Sequence, residues 1–238
     1  MVCINYFLIL ATNYIGVIKI NILKKKKNFI NLFSGEPFIW ALYLLLIISF
    51  RRLRSIVFEK ILNAPHINVG PNCYIRGVKH INFGENIFIF RGLWLEAINS
   101  YRGQVFTPDI SIGNGVAFSD GVHISCTESI IIGNNVLFGS HIFVADHNHG
   151  RYSGEAQSSP LEPPADRELA LGGPVIIEDN VWIGNNVVIL GPAKIGAGSI
   201  LAANSVVSGD IPGSTIIGGV PAKPLKEFSS TYCAWIKV

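Results

Sequence analysis

What this chain has least of is charge. Asp, Glu, Lys and Arg make up 15% of its 238 residues, the net charge is only +3, and the basic residues gather toward the N-terminus. The extended positive surface of a nucleic-acid binder is therefore missing. Cysteine is sparse too: Cys3, Cys73, Cys126 and Cys233 show no CxxC spacing, so neither a zinc knuckle nor a disulfide framework is indicated and a reducing cytoplasm fits. Cys73 and Cys126 read as compact apolar filler rather than nucleophiles.

Long hydrophobic runs are also lacking. The two apolar stretches, residues 2–18 and 38–50, fall short of the roughly 20 residues a spanning helix needs, and the first carries Asn5, Thr12 and Asn13. If both crossed a bilayer, Lys24 to Lys27 and the group Arg51, Arg52 and Arg54 would lie on opposite sides, against the positive-inside tendency. No basic segment follows Met1 and no small-residue cleavage site ends the first run, which argues against a secretory leader. Residues 1–64 therefore read as an apolar, basic, helical extension with two open roles. It lies on the inner face of the cell membrane, or it caps the end of the fold that follows.

What the chain does have is a period. Apolar residues make up 49% and there are 24 glycines, the balance of buried strand and tight turn. Every sixth residue from Ile177 is aliphatic: Ile177, Ile183, Ile189, Ile195, Leu201 and Val207. The same register runs through Ile112, Phe118 and Ile124, then Ile132, Phe138 and Val144, and more loosely upstream through Ile75, Ile81 and Ile89. Residues 93–109 read as an insertion. One aliphatic residue per hexapeptide builds a three-sided coil whose inward side chains stack while neighbouring coils pair their strands in parallel. Asn134, Asn135, Asn180, Asn185 and Asn186 suit the corners. Open solenoid ends need caps, for which the extension and residues 221–238 are the candidates, leaving 65–220 as the repeat domain.

The register breaks after Val144 and returns at Pro174-Val175. The interruption, residues 146–173, holds Asp146-His147-Asn148-His149-Gly150, and a loop of that length is uncommon without a function.

That run, the stretch Ser159-Pro160-Leu161-Glu162-Pro163-Pro164, and above all Asp179-Asn180-Val181-Trp182-Ile183-Gly184-Asn185-Asn186-Val187-Val188-Ile189 carry a resemblance. Over residues 65–228 the chain resembles the hexapeptide-repeat O-acetyltransferases, the group that includes galactoside and maltose acetyltransferases and enzymes that tailor bacterial surface polysaccharides. The resemblance implies a left-handed parallel β-helix, a homotrimer, and transfer of acetyl from acetyl-CoA to a sugar hydroxyl without a metal. It also implies a loop histidine as general base, since a hydroxyl is a poor nucleophile until its proton is removed. Counting from the corner at residues 132–136 favours His149 over His147, and Asp146 or Asn148 could fix a tautomer or meet the acceptor.

By the same matching, Trp182 stands near the acyl-CoA channel or simply packs on a neighbour. Asn185 falls on the oxyanion side, Ala202 and Ala203 meet the pantetheine arm, and Lys223 and Lys226 meet CoA phosphates. Two positions depart from the pattern. Ser208-Gly209-Asp210 stands where relatives have Thr-Lys-Asp, and Ser119 stands where sugar-binding relatives have Asn, which leaves the acceptor unread. Two other functions compete: a γ-type carbonic anhydrase holding zinc through His123, His141, His147 or His149, and a scaffold that binds no CoA.

Overall fold

The structure, a computed structural model, describes residues 37–238. The apolar run at 2–18, the lysines at 24–27 and Cys3 lie outside the described residues. The described residues divide into two compact units, residues 37–50 with 230–233 and residues 51–229 with 234–238. One helix, Phe38–Leu62, contributes to both.

The larger unit is almost entirely short parallel strands. Three columns of inward side chains explain why. Val69, Ile89, Phe118, Phe138, Ile183, Leu201 and Ile217 pair in succession and are all buried, with Phe118 and Phe138 stacked at 4.8 Å between ring centroids. A second column runs through Ile75, Leu95, Ile124, Val144, Ile189 and Val207, and a third through Phe83, Ile112, Ile132, Ile177, Ile195 and Ile211. The hexapeptide register therefore deals its aliphatic residues to the three columns in turn. Ile177, Ile183 and Ile189 go one to each, and Ile195, Leu201 and Val207 stack directly on them. Each fully buried Ile or Leu contributes about 2 kcal/mol, so the column is where the stability lies.

The corners divide their work between paired asparagines. Asn135, Asn180, Asn186 and Asn204 adopt positive φ, the left-handed turn Asn tolerates. Asn134 and Asn185 instead turn their amide oxygens on the neighbouring coil, accepting the N–H of Asn114 at 2.9 Å and of Ser140 at 2.8 Å.

Two insertions leave the coil, and both leave it at the same corner, between the second and third columns. The first is smaller than expected: Trp94–Ala97 is a regular strand, pairing with Tyr74–Arg76 and His123–Cys126, and only residues 98–108 leave the coil, as a hairpin of Ser100–Tyr101 against Gln104–Val105. Leu95 and Ala97 point inward and keep the register; the sequence pattern hid them because the following hexapeptide is interrupted. The second insertion carries a ribbon of its own, His147–His149 antiparallel to Leu169–Leu171.

At the start of the larger unit the helix caps the first coil. The Arg51 guanidinium donates to Ile89 O at 2.7 Å and to the Asn68 side chain, and lies 4.7 Å above the Phe88 ring. Ser55 Oγ accepts the N–H of Val69 at 2.9 Å, and Arg54 donates to Val69 O at 3.3 Å. At the other end, Thr215–Gly219 is followed by the antiparallel strands Ala222–Ser229 and Ala234–Lys237, which close the parallel ladder. In the smaller unit, the helix segment 38–50 exposes Phe38, Ile39, Trp40, Leu42 and Leu46. Among the described residues no helix is long and apolar enough to cross a membrane.

Candidate active site

The site grows from one buried carboxylate. Asp146 follows the last residue of the strand Phe143–Ala145, and its fully buried side chain reaches back to the tight corner of the preceding coil. There it accepts the N–H groups of Thr127 at 2.8 Å, Glu128 at 2.7 Å and Ser129 at 3.0 Å, the Thr127 hydroxyl at 3.0 Å and the Cys126 thiol at 3.2 Å. Its remaining partner is Nδ1 of His147, at 3.0 Å.

Burial pushes the Asp146 pKa up, but the hydrogen bonds from His147, Thr127, Glu128 and Cys126 outweigh it and hold the carboxyl below its ordinary value. It is therefore charged at neutral pH. The same surroundings, burial first and Asp146 second, push the Cys126 thiol far up, which keeps it protonated and removes it as a nucleophile. With Nδ1 of His147 held by an anion, the imidazole keeps its proton there and its Nε2 lone pair is the basic end.

His149 is two residues along the same ribbon, on the same face, and exposed. Its Nδ1 lies 3.5 Å from the hydroxyl of Tyr101, whose ring stands edge-on at 5.5 Å. Tyr152 donates its hydroxyl to His149 O and accepts from Arg167 at 2.8 Å, while Arg167 also donates to Glu162 O at 2.8 and 3.1 Å. Asn148 faces the other way, opposite Ala170.

The residues matched to acyl-CoA binding fall into two places. Trp182 projects from the outer face with 52% exposure, in one cross-strand row with Ile200, Ile216 and Lys226. Asn185, Ala202 and Ala203 sit at the corner that follows that row. The Asn185 amide oxygen is engaged by Ser140, which leaves its Nδ2 as the donor end, and the Ala202 N–H is engaged by Ile217 O at 2.8 Å. Ala203 N lies so close over Gly184 that a β-carbon there would approach it to 2.7 Å. Lys223 is exposed opposite Gly218. Ser119, half-buried, occupies the same corner on an earlier coil and donates its N–H to Phe138 O at 3.0 Å.

Ser208 belongs to the other place. It lies at the corner that carries Asp146, stacked beyond Gly191-Pro192. Within one chain the imidazoles and the Trp182 row thus stand at different corners.

The four histidines of the zinc reading are not gathered. His123 is packed between Trp94 and Phe143, at 5.0 and 5.1 Å, where burial lowers its pKa. His141 lies over Gly121 at another corner. Among the described residues no group of three or more potential ligands is placed to hold a metal.

Known proteins resemble this chain in sequence and in fold. The family model described as bacterial transferase hexapeptide (six repeats) matches residues 174–209. The putative lipopolysaccharide biosynthesis O-acetyl transferase WbbJ of Escherichia coli (strain K12) is 43% identical over 166 residues, 69% of this chain and 81% of its own length. A putative acetyltransferase of Schizosaccharomyces pombe is 38% identical over 101 residues, 42% of this chain and 44% of its own. Among solved structures, a point mutant of AntD, an N-acyltransferase from Bacillus cereus in complex with dTDP and coenzyme A, superposes with a TM-score of 0.54 at 19% identity. It covers 71% of this chain and 84% of that one, a likeness of fold.

Proposed function

This chain belongs to the hexapeptide-repeat acetyltransferases, and on that premise we propose that it moves acetyl from acetyl-CoA to a sugar hydroxyl of a bacterial surface polysaccharide, O-antigen or capsule. The coil is read as a left-handed parallel β-helix, with 65–220 as the catalytic domain, 221–238 as its cap and 1–64 as the extension.

The observation that carries the mechanism is the Asp146–His147 pair. Motif spacing favours His149 as the base, but geometry favours His147, because only its Nδ1 meets a buried anion. His147 Nε2 takes the proton of the acceptor hydroxyl as its oxygen attacks the thioester carbonyl carbon. The tetrahedral oxyanion that forms calls for a fixed donor, for which Asn185 Nδ2 is the candidate. Collapse breaks the C–S bond, and the His147 imidazolium returns the proton to the departing thiolate. Asp146 stays ionised throughout and stabilises the transient cation.

The separation of the imidazoles from the Trp182 row within one chain supports a homotrimer in which the loop of one protomer meets the acyl-CoA groove of its neighbour. Trp182, Ala202, Ala203, Lys223 and Lys226 would line that groove, with Ser208 at the corner that carries the base, beyond Gly191-Pro192. The exposed apolar side chains of 38–50, close in sequence to the exposed Arg52, support peripheral contact with the cytoplasmic face of the membrane, where a lipid-linked glycan would be met.

The test is acetyl transfer from acetyl-CoA to a panel of glycans by the native chain, His147→Ala and His149→Ala. His147→Ala is expected to lose about 10²- to 10⁴-fold in kcat, and His149→Ala to lose far less. Equal transfer by native and His147→Ala chains would remove the proposed base.

A further inference from the structure

The two insertions arise at one corner of the coil, the hairpin after Ala97 and the loop after Ala145, with the tight turn of residues 126–129 between them. Because stacked coils place their corners one above another, the insertions meet outside the coil. Their contacts are specific. The Gln104 side chain pairs in both directions with Leu169, donating to its carbonyl at 3.1 Å and accepting its N–H at 2.7 Å. Arg102 meets Asp166 at 2.8 Å. Tyr101 donates its hydroxyl to Ala165 O at 2.7 Å, and the same oxygen faces His149 Nδ1.

The direction of that first bond decides the second. With its proton spent on Ala165 O, the Tyr101 oxygen offers His149 only lone pairs, so the contact favours the tautomer with the proton on Nδ1 and a bare Nε2. His147 is in the same state through Asp146. The ribbon thus carries two imidazoles on one face, two residues apart, each with its Nδ1 occupied and its Nε2 left to accept. One such group suffices as a base. A second, held in the same tautomer by a residue from a different insertion, is built to accept a hydrogen bond.

We propose that Tyr101 and His149 form a hydroxyl-reading pair, in which the hairpin of residues 98–108 positions His149 to accept a hydrogen bond from a second, non-reacting hydroxyl of the acceptor sugar. The hairpin is then a specificity element, and Tyr101 a positioning residue acting through His149. The sugar half of this assignment rests on the transferase reading; the tautomer half does not.

The experiment uses the full chain labelled with ¹⁵N-histidine, the ring signals being assigned by comparison with His149→Gln. In the native chain at pH 8 the ring nitrogens of His149 are expected to report a proton on Nδ1, and in Tyr101→Phe a mixture of tautomers. A native His149 protonated on Nε2, or an unchanged tautomer in Tyr101→Phe, overturns the pair. Kinetics then read the ligand: Tyr101→Phe should raise KM for the best acceptor of the panel about five- to tenfold, the worth of one hydrogen bond, with KM for acetyl-CoA unchanged. Gln104→Ala, which loosens the hairpin without touching His149, should move the acceptor KM the same way. An unchanged acceptor KM in Tyr101→Phe, or a parallel loss toward both substrates, overturns the hydroxyl-reading role. A native chain that acetylates no sugar defeats the transferase reading and the sugar half with it, while the tautomer result still decides whether Tyr101 sets His149.

Discussion

At the scale of the residue, Asp146 ties together stability and chemistry. Its carboxylate takes the backbone N–H groups of a corner and the imidazole of the proposed base at once, so the two uses separate by substitution. Asp146→Asn keeps the size but offers one acceptor oxygen and an NH₂ that repels N–H donors; its cost is expected at about 2–4 kcal/mol, from unpaired buried donors. Its kcat should fall further than its melting temperature accounts for, because the His147 tautomer is no longer set. The pH dependence follows in sign. The folded-state pKa lies below the unfolded one, so the carboxylate's stabilisation is full above about pH 4, the unfolded value, and is lost as pH falls through the lower folded value. Thermal melts from pH 6 to pH 2.5 should show a drop below about pH 4 that Asp146→Asn flattens. An equally steep drop in the variant would assign the acid sensitivity elsewhere. Cys126 adds nothing to this titration, since burial and Asp146 hold it protonated across the whole range.

At the scale of the element, the hexapeptide strands were open to reading because each places one aliphatic side chain in one column, and that constraint shows in sequence as a period. The Asn-Asn corners were open for the same reason, although their division of labour was not. Asn135 and Asn186 serve by backbone dihedral, Asn134 and Asn185 by a side-chain oxygen, and composition does not tell these apart. The hairpin's contacts were hidden altogether. Tyr101, Arg102 and Gln104 sit in a segment without period, and their partners Ala165, Asp166 and Leu169 lie about 65 residues away, brought near only by the stacking of corners. The geometric difference between His147 and His149 was hidden likewise: two positions in one short motif say nothing of which Nδ1 meets an anion. The capping helix was legible as a helix and as one of two candidate roles, but the groups that make the cap were not, because Arg51 and Ser55 resemble any charged or small surface residue. Ser55→Ala should therefore destabilise the first coil rather than the whole, leaving the Val69 N–H without its acceptor at a cost of about 1–2 kcal/mol. Hydrogen exchange should quicken at Val69, while amides such as Ile183 and Leu201, several coils away, stay protected. Uniform acceleration along the chain would show that the cap supports every coil equally.

At the scale of the whole molecule, the division after Phe50 separates the observed capping groups from the proposed membrane contact, the two roles that the sequence left as alternatives for one segment. The groups that engage the first coil, Arg51, Arg54 and Ser55, all follow the division, whereas the exposed Phe38, Ile39 and Trp40 precede it. A cap must bond to backbone ends, and a membrane contact must present apolar surface beside cations. On the proposed reading, one extension serves both, in different parts. A chain beginning at Arg51 retains the capping groups and should melt within a few degrees of the full chain. It should no longer float with vesicles containing anionic lipid, and the flotation of the full chain should weaken as salt rises, through screening over about 10 Å at 0.1 M. Flotation of the shortened chain equal to that of the full chain would place membrane contact outside residues 1–50. A large loss of melting temperature would show that those residues share the capping role.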